Sequence, residues 1–232
     1  MSKTTAIVVT GGEGRLANAL RLYFPMATFL SHTSLDVSNA NAVNRFFSSR
    51  SVDLILHLGA ETAPDAPGRD YLQANIVGTA NIVRAAMSCG ARLVYTSTDF
   101  VYPGTTGGYR ETDPVLPRNT YAWSKLGGEC AVACYHSALV VRGSWYSGLA
   151  YRSACLDAFH SKLAVARAAC AIATLATSGL TGVVNVGGPR RSMYELIVTE
   201  FDPRVKPINR ADLAYPYPAD VSLDCSKAKP YL

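Results

Sequence analysis

The sequence is poor in charge, and what charge it has is dispersed. Asp, Glu, Lys and Arg make up 17% of its 232 residues, and the formal net charge is +5. No basic block forms, so a nucleic-acid surface is not expected. A mildly positive surface suits an anionic, phosphate-bearing ligand. No stretch approaches the roughly 18 uninterrupted apolar residues that argue for a membrane span. The start, MSKTTAIVV, has four apolar residues from Ala6 to Val9 before Thr10 and Gly11, too few for a signal peptide. The six cysteines, Cys89, Cys130, Cys134, Cys155, Cys170 and Cys225, form no Cys-x-x-Cys pair and no zinc-ligand spacing. No metal site is expected, and the setting reads as reduced and cytoplasmic. Internal repeats and low-complexity linkers are missing too.

What is present alternates. Short apolar runs at 6–9, 27–31, 53–58, 92–96 and 138–141 read as buried strands. Amphipathic segments at 15–23, 39–49, 70–89 and 120–135 read as the helices between them. Strands alternating with helices predict an α/β, Rossmann-like doubly wound parallel sheet. After Arg142 the pattern loosens. An Ala-rich helix is expected at 163–177, a strand at 183–186, a short helix at 193–201 and a proline-bearing, loop-rich tail at 206–232. The division expected is a dinucleotide-binding domain at 1–145 and a small, shortened substrate-binding portion at 146–232, partly interwoven with the sheet.

Three motifs bear on chemistry. TGGEGRLA, Thr10 to Ala17, follows the first strand and opens the first helix. There Gly11 permits a tight turn, Gly14 lets the backbone approach a pyrophosphate, and Ala17 keeps the helix close to the sheet. The same turn without a ligand is the plain alternative. Tyr121-Ala122-Trp123-Ser124-Lys125 puts Tyr121 and Lys125 on one helix face. An ammonium beside a phenol lowers its pKa and makes it usable as an acid or base. Alone, that spacing also fits a solvated helix face. Ser97-Thr98-Asp99 ends the fourth strand, where open α/β sheets bind ligands. Alone, it also fits a hydroxyl-bearing turn. The three in this order are far more specific than any one. His57, at a strand end, reads as a packed residue.

With these residues the chain resembles the extended short-chain dehydrogenase/reductase family, and within it the dTDP-4-dehydrorhamnose reductases. LDVSN (35–39), HLGAETAPD (57–65), NIVGT (75–79), STDFVYPG (97–104), YRETDPVLPRNTYAWSKLGGE (109–129), VVRGSW (140–145) and VSLDCSK (221–227) carry the likeness. The resemblance implies roles. Gly11, Glu13, Gly14, Arg15 and Leu16 would line the cofactor pyrophosphate. Asp36 and Val37 would lie by the adenine, with Ser31 and His32 at the ribose. Leu58, Ala60, Glu61 and Thr62 would run past the cofactor toward the nicotinamide. Lys125 would hold the nicotinamide ribose and tune Tyr121, which would protonate the sugar C4 oxygen. Thr98 would hold that oxygen, with Asp99 and Trp145 at the substrate. The partner implied is a nucleotide-diphosphate sugar, and a homodimer follows by analogy.

Two departures from that family follow. Where an acidic residue usually meets a free ribose 2′-hydroxyl, the chain reads Ser31-His32-Thr33. Nothing there repels a 2′-phosphate, so NADP(H) is favoured slightly over NAD(H). The family's Asp-Gln-x-Gly-x-Pro-Thr segment after Trp145 is absent, which implies a trimmed substrate side. Phe100 stands where sugar dehydratases carry a second acid, and a phenyl ring is no base. The reaction expected is reduction of a nucleotide-linked 4-keto-6-deoxy sugar. The alternatives are a nucleotide-sugar 4-epimerase and a non-catalytic cofactor-binding subunit.

Overall fold

A computed structural model describes residues 5–148 and 151–231. Six strands form one parallel sheet: β1 (Ile7–Thr10), β2 (Thr28–Leu30), β3 (Leu54–His57), β4 (Arg92–Thr96), β5 (Ala138–Gly143) and β6 (Gly182–Val186). Their spatial order is β2-β1-β3-β4-β5-β6. The chain therefore reverses its direction of travel between β1 and β3, and a crevice opens at that switch point.

The strands are apolar on both faces because helices cover both. Val9, Leu56, Val94, Leu139 and Val184 pack on one side against α1 (Arg15–Leu20) and α6 (Val165–Thr177). Val8, Ile55, Leu93, Tyr95 and Val140 pack on the other against α2 (Ala40–Ser48) and neighbouring helices. Successive strand residues point to opposite faces, which divides each pair such as Val8 and Val9 between the two cores.

The helix expected at 70–89 is longer and irregular. It runs as α3 (Gly68–Tyr71), a π-helical stretch (Leu72–Val77) and α4 (Gly78–Cys89). The π turn lies against α5 (Thr120–Val132). The two come close because α5 carries Gly127 and Gly128 in mid-helix, at a propensity cost of about 1 kcal/mol each relative to Ala. A Cβ on Gly128 would stand 2.4 Å from the Tyr95 hydroxyl and 2.8 Å from the Asn75 carbonyl oxygen.

Beyond residue 145 the Ala-rich helix starts at Val165, two residues later than expected, because Leu163–Ala164 pairs with Trp145–Tyr146. The short helix is α7 (Met193–Glu200), closed at its start by a Ser192–Glu195 capping box. The tail is more ordered than its prolines suggest. Lys206–Ile208 pairs with Ser153–Cys155, and the tail also bridges Tyr109 to Leu223 and Phe159 to Asp220. β6 and α6 belong to the second half of the chain yet complete the main sheet and one of its cores. Among the described residues, no helix is long and apolar enough to cross a membrane.

Candidate active site

A cavity of about 420 Å³ lies over the carboxyl ends of β1, β3 and β4. Its walls bring together Gly11, Glu13, Gly14, Arg15, Leu16, Ser31, His32, Leu58, Ala60, Thr62, Tyr121, Lys125 and Trp145, residues drawn from five separate stretches of sequence. Sequence reasoning missed Tyr146, Ser147 and Val165, which also line it. They follow the fifth strand or open α6, where no motif marks them.

The floor is the turn after β1. Gly11 has φ +70°, a conformation that disfavours any side chain. A Cβ there would also stand 2.7 Å from the Gly59 nitrogen. Bare backbone is what lets the two loops converge at the switch point. Gly14 caps α1, and Arg15 and Leu16 of its first turn face the cavity. The Arg15 guanidinium crosses to the Ser147 carbonyl at 3.2 Å. At the mouth, the Ser31 hydroxyl bonds those of Thr33 and Ser34, each at 2.8 Å. His32 is exposed beside it, and neither brings a carboxylate.

α5 presents the Tyr121–Lys125 pair expected from the sequence. The Asn119 side chain caps it by accepting from the Ala122 N–H at 2.7 Å. Tyr121 then falls in the first turn, and Lys125 one turn later. Lys125 is buried, with its ammonium over the Tyr95 ring, 4.2 Å from the centroid. Burial lowers its pKa to about 7, against the upward pull of Glu129.

Tyr121 departs from expectation. Burial, and then the Asp99 carboxylate, raise the phenol above its ordinary value, while a hydrogen bond with the Thr98 hydroxyl lowers it. The expected lowering by Lys125 is not what dominates: that ammonium lies over Tyr95. A raised phenol is a held proton, which suits a donor better than a base.

The remaining candidates lie outside the cavity wall. Thr98 is 4% exposed, and its hydroxyl donates to Asp99 Oδ1 at 3.2 Å. Asp99 was expected at the substrate, but it is fully buried, with Oδ2 turned toward His160. Its position follows from the 3₁₀ turn Asp99–Val101, which tucks the side chain under β4's end. Asp36 accepts from the Ser38 N–H and hydroxyl, closing a local turn. The Val37 carbonyl accepts from Asn81. Glu61 turns back to accept from the backbone N–H groups of Thr62 and Ala63, each at 2.8 Å.

Asn75, in the π turn, escaped assignment from sequence although NIVGT was conspicuous. It is fully buried. Its Oδ1 accepts from the Glu61 N–H, and its Nδ2 donates to the Glu61 carbonyl and to Ser124 Oγ. Ser124 in turn donates to the Tyr121 carbonyl. One amide thus fixes the loop after β3 against the first turn of α5. His57 packs as expected, fully buried between the hydroxyls of Thr10 (2.7 Å) and Thr79 (3.1 Å). Burial, and then Lys125, lower its pKa to about 3, so it stays neutral.

The sequence and the fold have counterparts. The RmlD substrate binding domain family matches residues 5–168. The chain belongs to that family. A dTDP-4-dehydrorhamnose reductase of Mycobacterium tuberculosis is 34% identical over 161 residues, 63% of this chain and 52% of that protein. The methionine adenosyltransferase 2 subunit beta of Pongo abelii is 30% identical over 140 residues, 54% of this chain and 42% of that protein. The chain thus spans about half the length of these relatives. A dTDP-4-dehydrorhamnose reductase of Bacillus anthracis, solved in complex with NADP, superposes with a TM-score of 0.87 at 24% identity. That match covers 99% of this chain and 92% of the other, so the fold is shared nearly throughout.

Proposed function

We propose that the chain is an NAD(P)H-dependent reductase of a nucleotide-linked 4-keto-6-deoxy sugar, similar to the dTDP-4-dehydrorhamnose reductases of its family. The observation that supports it is the meeting of Tyr121 and Lys125 with the bare Gly11–Gly14 turn in one cavity. The residues present fit a dinucleotide: a turn without side chains, a helix start beside it and a buried lysine further in. Gly11, Gly14, Arg15 and Leu16 would hold its phosphates, Ser31 and His32 the adenine ribose, and Lys125 the nicotinamide ribose. When bound, this cofactor supplies the hydride.

The chain's own residues do the rest. Trp145 would shape the substrate side of the cavity. Thr98 would turn its hydroxyl from Asp99 to donate a hydrogen bond to the C4 oxygen. Tyr121 would give its phenolic proton to that oxygen as negative charge develops there. The carboxylate-free mouth at Ser31 and His32 favours NADP(H). We place the protein in the cytoplasm, as a homodimer. The exposed Trp123 on α5 supports pairing through that helix.

The test is oxidation of NADPH and NADH by the purified protein. The substrate is dTDP-4-keto-6-deoxyglucose, with and without a 3,5-epimerase. Turnover dependent on the sugar supports the reading. The likeness to a methionine adenosyltransferase subunit favours a second reading, a cofactor-binding subunit without chemistry of its own. That reading expects cofactor binding with no turnover on any nucleotide sugar.

A further inference from the structure

A buried carboxylate, imidazole and phenol lie in line beneath the cavity. Asp99 and His160 are 0% and 2% exposed. Asp99 Oδ1 accepts from the Thr98 hydroxyl at 3.2 Å. Its Oδ2 faces His160 Nδ1 at 3.7 Å, and neither atom has a hydrogen-bond partner. On the far side of the ring, Nε2 lies 3.1 Å from the Tyr217 hydroxyl. The Phe100 ring packs against both, with centroids 5.9 Å from His160 and 6.2 Å from Tyr217.

This order decides the tautomer. A bare Nδ1 lone pair facing a carboxylate oxygen in a dry interior is repelled, whereas Nδ1–H is attracted. Nε2 is then free to accept from Tyr217. A carboxylate that fixes a histidine tautomer toward a hydroxyl is a known device for setting proton positions. Here the carboxylate end adjoins Thr98, and the hydroxyl end belongs to the C-terminal segment. Around His160 stand Asp99, Lys162 and Asp220, the last paired with Arg190 at 2.7 Å. Around Tyr121 stand Asp99, Thr98 and Tyr71. Burial outweighs Asp99 and holds His160 below its ordinary pKa, so the ring is neutral at pH 7.

We propose that His160 is a positioning residue: its Nδ1–H holds the Asp99 carboxylate beside Thr98 and Tyr121, and Tyr217 fixes the ring from the C-terminal segment. The proposal rests on reading Tyr121 as the proton donor. A negative charge beneath a phenol keeps the proton on it to higher pH. Loss of His160 removes the group that Asp99 Oδ2 faces, and the carboxylate is no longer held toward Thr98 and Tyr121.

Imidazole ¹⁵N NMR tests the pair without turnover. The wild type is expected to show a neutral His160 protonated on Nδ1 at pH 7, a preference lost in Asp99→Asn. A ring protonated on Nε2 in the wild type overturns the proposal. The pH profile of kcat tests the coupling. In Asp99→Asn and in His160→Phe the alkaline limb is expected to move down by about one pH unit or more, and the double variant moves it no further. His160→Asn, which keeps an N–H toward Asp99, is expected to restore the limb. A uniform loss of kcat with the limb unmoved means a merely structural histidine and overturns the proposal. An Nδ1-protonated ring that responds to Asp99→Asn, in a protein without reductase turnover, supports the pair and counts against the reductase reading alone.

Discussion

Glu129 pairs with Arg142 at 2.6 Å in the interior, one helical turn beyond Lys125 and in contact with the Ser97 hydroxyl. Arg142 continues to the Tyr102 hydroxyl, which donates to Asn185 on β6. Asn185 then donates to the backbone carbonyls of Tyr109 and Asp224. α5, the end of the sheet and the tail are therefore one polar structure. Because both partners are less than a tenth exposed, removing one leaves an unpaired buried charge. Arg142→Met is expected to destabilise the protein by about 3–5 kcal/mol in denaturant unfolding. A loss below about 1 kcal/mol contradicts this account of the pair.

Lys125 makes stability depend on pH. Its folded pKa of about 7 lies below the ordinary value of 10.5, chiefly through burial. Below about pH 7 both states hold the proton, and the folded state bears the full cost of a buried ammonium. Between the two values the unfolded chain binds more protons, so stability rises with pH. The stability of wild type relative to Lys125→Met is expected to rise by roughly 1 kcal/mol per pH unit from pH 7 to 9. A flat difference across that range means that burial does not govern the lysine.

Gly11 sets the floor of the site. A Cβ at that position meets Gly59 and Leu58 backbone atoms at 2.7–2.9 Å, and φ is +70°. Backbone cannot swing aside as a side chain can. Gly11→Ala is expected to cost about 1–3 kcal/mol and to abolish cofactor binding, as thermal melts with and without NADPH can show. Unchanged melting and an intact NADPH-induced shift contradict the role given to this turn.

The mouth of the cavity decides between the two dinucleotides. His32 is exposed and Ser31 offers only a hydroxyl. Fluorescence titration is expected to give tighter binding of NADPH than of NADH. His32→Asp places a carboxylate there and is expected to reverse the order, weakening NADPH about tenfold or more. Tighter NADH binding by the wild type contradicts the preference.

Much of this was legible in the sequence, for identifiable reasons. The main strands stand out as apolar runs, their helices are long enough to show a period, and the Tyr121–Lys125 pair lies within one helical turn. The Gly11 turn announces itself by following a strand. What escaped depends on contacts between distant residues. Asp99 meets His160 across 61 positions of chain, and nothing local says that its carboxylate turns inward. The π turn that seats Asn75 has no periodic signature of its own. The pairs at Trp145–Tyr146 and Ser153–Cys155 are two or three residues long, too short for alternation to be seen. The phenol's raised pKa reflects burial, which spacing cannot report.

The most direct measurement is sugar-dependent NADPH oxidation by wild type and Tyr121→Phe, with NADPH binding measured on both. The account predicts turnover in the wild type, a loss of about a hundredfold or more in the variant, and dissociation constants that agree within about threefold. A variant that turns over like the wild type would show that the phenol is not the proton donor and would contradict the account at its centre.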